Sequence, residues 1–139
     1  MITIAKPDVS QEAQAAFKKN LPKINDLLVA RLLAEPGQFD HLGDQAEKIL
    51  RSGFEFTSSN LEAYMQMNDA SLIIDQLSWA KDRLPHDGIS MERMVKNLGV
   101  YCEVISEVLP KEYSPEIIKM IQSIISVQQE ISQMKGKSL

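Results

Sequence analysis

The chain has 139 residues, enough for one domain around a single core, and its 44% hydrophobic and 24% charged content excludes the disordered and collagen-like classes. A formal net charge of −4, with 15 Lys and Arg scattered among 19 Asp and Glu, argues against a general nucleic-acid binder, which needs clustered cations to neutralise phosphate. One cysteine, Cys102, excludes an internal disulfide framework and any multi-cysteine metal site.

The opening segment, Met1 to Pro7, alternates apolar and polar residues weakly and suggests a short extended arm, ending by residue 9. It has neither a basic leader nor a continuous apolar run. The single cysteine suits a reducing compartment, so a cytoplasmic chain is expected, and no stretch approaches the roughly 18 apolar residues of a membrane span.

Asp8 to Ser10 offers a cap for a first helix running to about Asn20, with Ala13, Ala16 and Phe17 on one face. Pro22 then stands where the first turn of a second helix tolerates a missing N–H, and Ile24, Leu27, Leu28, Leu32 and Leu33 form its apolar stripe. Glu35-Pro36-Gly37 breaks that helix.

From Leu42 to Met65 the apolar positions keep a three-and-four spacing that predicts one long helix. Gly53 lies inside it, at a cost of about 1 kcal/mol relative to Ala, so either the helix is broken in two or another crosses closely there, and the small-residue strip Gly53, Thr57 and Ser58 favours the crossing. Phe54 and Phe56 leave that seam and are assigned to a second packing layer or a partner.

Asn68 and Asp69 cap the next helix, which carries Leu72, Ile73, Leu77, Ala80 and Leu84 and stops at Pro85. His86-Asp87-Gly88 is a turn by composition. Ser90 caps a fifth helix, with Ile89 and Met94 as a hydrophobic staple and Leu98, Cys102 and Ile105 on its stripe. The sixth opens with Ser114 as cap, Pro115 at the first position and Glu116 favouring the positive helix end. Ile117, Ile121, Ile124, Ile125, Gln128 and Ile131 carry its stripe toward Met134, and Lys135-Gly136 ends it. Ile118, Met120 and Val127 widen the apolar face beyond what a lone surface helix needs, which points to a homodimer through this C-terminal helix. The fold class is therefore all-α, about six helices in a single domain over residues 1–139. Without βαβ alternation the usual nucleotide-binding folds are excluded.

No catalytic signature stands out. His86 and His41 are the only imidazoles; one follows a proline at a helix exit and the other precedes a helix start, contexts that read as polar turns. With one Cys and no HExxH motif, no metal site is expected. Haem needs only one axial ligand, so His86 or His41 would be the cofactor-binding residue if a tetrapyrrole, haem or bilin, is bound. The His86 and Asp87 pair also suits a pH sensor. Cys102, between Leu98 and Ile105, reads as a buried structural thiol rather than a nucleophile. Asp75, Asp82 and Asp87, with Lys81 and Arg83 between them, read as a solvated helix face. There is no GxSxG nucleophile elbow. Trp79, the only tryptophan, either edges the core or lines a pocket for a small apolar ligand with Tyr101, Phe54 and Met65.

The helix holding Trp79, the corner RLPHDGIS, the helix MERMVKNLGVYCEVISEVLP and the Ile-rich last helix together resemble the N-terminal sensor domains of RsbR-type stressosome proteins. The similarity runs from about Ile24 to Met134 in helix order, length and apolar pattern. It implies a globin-like fold without haem, dimerisation through helices, a signalling partner and sensing without catalysis. The full-length family carries a C-terminal STAS domain that this sequence lacks, so a stand-alone sensor or an excised domain is expected. A small enzyme using carboxylates with Tyr101 or Tyr113 is the third class weighed.

Overall fold

The computed structural model describes residues 8–67, 71, 73–76 and 90–132. Among them the chain is all-helical, without a strand. The elements are α1 (Gln11–Leu33), a 3₁₀ segment (Asp40–Gln45), α2 (Ala46–Met67), α3 (Met91–Val108) and α4 (Ser114–Ser132). Residues 71 and 73–76 are also helical. The expected arm over Met1 to Pro7, the Asn68-Asp69 cap, the Pro85 stop, Ile89 of the staple and the Lys135-Gly136 end lie outside the described residues. Among those described, no helix is long and apolar enough to cross a membrane.

The two helices expected on either side of Asn20 are one. α1 runs unbroken through Pro22. Proline inside a helix removes one hydrogen bond and crowds the carbonyl four residues earlier. Here Pro22 and Lys18 both face solvent, where water can take the freed carbonyl. Meanwhile Ala13, Phe17, Ile24, Leu28 and Leu32, all at most 1% exposed, form one continuous buried stripe across the proline. Burying such side chains is worth about 1.5–3 kcal/mol each for the large ones, enough to outweigh a defect of about 3 kcal/mol. Ser10 caps this helix, accepting from the Ala13 N–H at 3.1 Å, and Gly37 at φ 74 turns the chain after it.

The long helix expected from Leu42 begins at Ala46. Gly43, at φ 58, takes a conformation that L side chains avoid and separates a 3₁₀ turn from α2. α2 continues through Gly53 without the crossing expected there, since a Cβ at Gly53 would meet nothing within 4 Å, while Ser58 of the same strip is buried against Asn25 of α1 and Tyr101 of α3. Phe54 is buried and Phe56 is 54% exposed.

α1 packs against α2 on one side and α3 on the other, and α4 packs on α3. Being sandwiched, α3 buries Leu98, Tyr101, Val104 and Ile105, an arc shifted from the expected stripe so that Cys102 is only half-buried. On α4, Met120 and Val127 are buried within this chain, and of the widened face only Ile118 remains half-buried, alongside Ile125 of the stripe. Guanidinium groups tie the outside together. Arg31 of α1 holds both carboxylate oxygens of Glu107 of α3 at 2.6 Å, and Arg51 of α2 reaches Asp26 of α1 at 2.7 Å.

Candidate functional site

The innermost polar feature lies where α1, α2 and α3 meet. Ser58 donates to Asn25 Oδ1 at 2.9 Å, and the Tyr101 hydroxyl stands 2.6 Å from Ser58 Oγ. Because the Ser58 proton is committed to Asn25, Tyr101 donates to Ser58, giving a directional chain from α3 through α2 to α1. Ser58 and Tyr101 are 2% and 0% exposed, so neither has water as an alternative partner. Phe17 and Phe54 enclose the Tyr101 ring at centroid distances of 6.5 and 6.4 Å. Burial drives the Tyr101 hydroxyl far above the ordinary tyrosine value; the Ser58 hydrogen bond opposes this, and the charge of Glu62 adds to it. A phenol held neutral among apolar walls is no acid or base at neutral pH. The cluster fixes the register of three helices.

Of the four residues expected to line a ligand pocket, Tyr101 and Phe54 do pack together, but inside filled core. Met65 instead lines an open groove of 330 Å³ between α1 and α2, with Gln14, Lys18, Glu62 and Gln66. Trp79 lies outside the described residues, as do His86, Asp82 and Asp87.

His41 is exposed on the 3₁₀ segment, at the rim of a second open groove of 310 Å³ shared with Phe39, Ser90, Glu92, Arg93 and Lys96. The Arg93 guanidinium holds Glu35 from both terminal nitrogens, donates to Asn97 Oδ1 at 2.8 Å and lies 5.2 Å over the Phe39 ring. These contacts bind the corner after α1 to the start of α3, whose cap Ser90 accepts from the Arg93 N–H at 3.0 Å. The walls are charged and wet, unlike the closed apolar slot that a haem requires.

The Cys102 thiol is pushed up to about 11, first by burial and then by Glu103 beside it, which keeps it protonated and unreactive at neutral pH. Tyr113 is half-buried in the turn after α3. Among the described residues, no group of three or more His, Cys, Asp or Glu side chains could hold a metal ion. Asp75 is exposed, in keeping with a solvated face.

Two residues with structural consequences, Asn25 and Arg93, carry no motif in the sequence. Gln128, expected on the apolar stripe of α4, does lie there: it is 0% exposed, its amide N–H points at Met94 Sδ 3.2 Å away, and its Oε1 finds no donor among the described residues. No family model, curated protein or solved structure matches the chain.

Proposed function

We propose that this protein is a non-catalytic, globin-like sensory or regulatory module that works as a homodimer in the cytoplasm and relays a signal, carried by a small apolar ligand, to a protein partner. The likeness of its helix layout to RsbR-type sensor domains supports that reading. So does one structural observation: the groups best suited to chemistry are committed elsewhere. Tyr101 is locked in a hydroxyl chain, Cys102 is held protonated, and Arg31, Arg51 and Arg93 are each engaged by carboxylates. That leaves a helical body suited to binding rather than to bond-breaking, and a relay requires only that its ligand favour one of its conformations. Pairing through α4 draws on Ile118 and Ile125, the half-buried residues of its outer face.

The test is native mass spectrometry together with the absorption spectrum of the purified full chain. The expected result is a colourless homodimer that gains the mass of a bound apolar molecule when offered cell extract lipids and hydrophobic metabolites. A Soret or bilin band, kept after gel filtration, would overturn this in favour of a tetrapyrrole sensor, and a strict monomer would remove the dimeric part.

A further inference from the structure

Gln128 and Met94 meet where the second half of α4 packs on the first turns of α3. Gln128 is fully buried, and its amide Nε2 donates to the Met94 sulfur at 3.2 Å. A thioether sulfur is a weak acceptor for an amide stripped of water. The other end of the same amide, Oε1, has no donor among the described residues. The Gln128 N–H is thus short of a strong acceptor, and the sulfur is the atom placed to become one. Met94 is half-buried, unlike Met65 and Met120, which are 6% and 4% exposed.

We infer that Met94 is a site of reversible oxidation, and that Gln128 is the group that accommodates its sulfoxide. The co-reactant is a hydroperoxide. A lone pair of Met94 Sδ attacks one peroxide oxygen, the O–O bond breaks and an S–O bond forms. The proton on the transferred oxygen passes to the departing one, so hydrogen peroxide leaves as water. The sulfur is oxidised by two electrons and the peroxide is reduced by two. A sulfoxide reductase working with a dithiol reverses the step, releasing the oxygen as water and leaving a disulfide.

A sulfoxide in a helix interface is ordinarily damaging, because a polar oxygen is buried without a donor. Here a donor already stands at the sulfur. The S–O bond is strongly polarised towards oxygen, so a turn of the flexible Met94 side chain lets the Gln128 N–H exchange a weak acceptor for a strong one. The buried amide is then a cost beside a thioether and a support beside a sulfoxide. The oxidised sulfur is also a chiral centre. With the amide on one side of it, one epimer directs its oxygen to the N–H and the other directs it away, so one epimer is favoured. The site is independent of the ligand-relay reading: it needs no bound molecule and no second copy, only an oxidant that reaches α3.

The test is partial oxidation of the folded full chain with hydrogen peroxide, followed by peptide mass spectrometry that reads each methionine separately. Met67, 65% exposed, is the internal standard for an open thioether. Met94 is expected to oxidise more slowly than Met67 and faster than Met65 and Met120. It should yield mainly one sulfoxide epimer, identified by which of the two stereospecific reductases repairs the digested peptide, whereas Met67 yields both about equally. Pulse proteolysis of the partly oxidised population at the urea midpoint then separates folded from unfolded chains. In wild type, Met94 sulfoxide is expected to be at least as frequent among surviving chains as among digested ones. In Gln128→Leu it should be depleted among survivors by at least about fivefold, the loss of one buried hydrogen bond, although the same substitution stabilises the reduced protein. A merely smaller side chain does not give that reversal of sign. Equal depletion in both proteins, an equal mixture of epimers at Met94, or a Met94 that stays reduced after Met67 is fully oxidised each overturns the inference. The epimer ratio and the oxidation rates are read on wild type, so they decide the matter even if Gln128→Leu fails to fold.

Discussion

Ser10 and Glu116, 106 positions apart, share one set of hydrogen bonds: the Ser10 N–H reaches Glu116 Oε1 at 2.8 Å and its hydroxyl reaches Oε2 at 3.2 Å. Ser10 caps α1 and Glu116 lies in the first turn of α4, so a single carboxylate faces the positive ends of two helices. Because Ser10 Oγ also accepts from Ala13, the carboxylate orients the cap as well as neutralising it.

Removing either partner should therefore cost more than an ordinary cap. Ser10→Ala and Glu116→Ala are each expected to destabilise by about 1–2 kcal/mol in urea denaturation. The double variant should lose less than the sum, by at least about 0.5 kcal/mol, since the two side chains act as one unit. Strict additivity would show that the contact does not couple α1 to α4.

The Tyr101 hydroxyl gives a second expectation. Tyr101→Phe keeps the ring between Phe17 and Phe54 and deletes one hydrogen bond, at an expected cost of about 1 kcal/mol. The pH dependence has a definite sign. The folded value is raised, so the unfolded chain releases the proton first and the folded state loses stability as pH climbs above the ordinary tyrosine value of about 10. Below that value Tyr101 titration changes nothing. Urea midpoints taken on both sides of it should fall on the alkaline side, and Tyr101→Phe should flatten the fall. Part of the slope will survive, because burial also raises the Tyr64 hydroxyl.

Local chemistry made the joints of this fold legible, while tertiary packing hid the rest. Ser10, Ser90 and the Glu35-Pro36-Gly37 break act through bonds within a few residues, and all three stand where the sequence places them. Pro22 reads locally as the first turn of a second helix and proves internal to α1, since a proline at a first turn and one on the wet side of a continuous helix share the same local pattern. The deciding signal was phase: Phe17 and Ile24, seven residues apart, point the same way across it. Gly53 carries its helix-propensity cost, but none of the described residues makes the close approach it allows. The Asn25–Ser58–Tyr101 link spans gaps of 33 and 43 residues, and no local rule finds it. Of the residues expected to line a ligand pocket, Phe54 and Tyr101 pack together in the core and Met65 faces a groove between α1 and α2, while Trp79 lies outside the described residues.

Cys102 should be slow to react in the folded chain. With its value pushed up to about 11 from an ordinary 9.0, the thiolate fraction near pH 8 falls by about a hundredfold. Reaction with a chromogenic disulfide reagent should be correspondingly slow in buffer and become fast in urea. A native rate equal to the unfolded one would return Cys102 to consideration as a nucleophile or redox sensor.

The last expectation concerns Gln128, the one fully buried amide on α4. Its Oε1 has no donor among the described residues, and thioether sulfur is a weak acceptor for its N–H. Folding has therefore stripped water from a polar group and returned little. Gln128→Met keeps the length and flexibility of the side chain and removes the unmet amide, so urea denaturation should show a gain of about 1–2 kcal/mol. Gln128→Leu should move in the same direction by less, because its branch must find room between Ile124 and Ile131. A loss of stability in both variants would mean that the amide is satisfied in the folded protein. Gln128→Glu at low pH then tells its oxygen from its N–H: it keeps a carbonyl oxygen in place and should restore the loss only if that oxygen is the group that is satisfied.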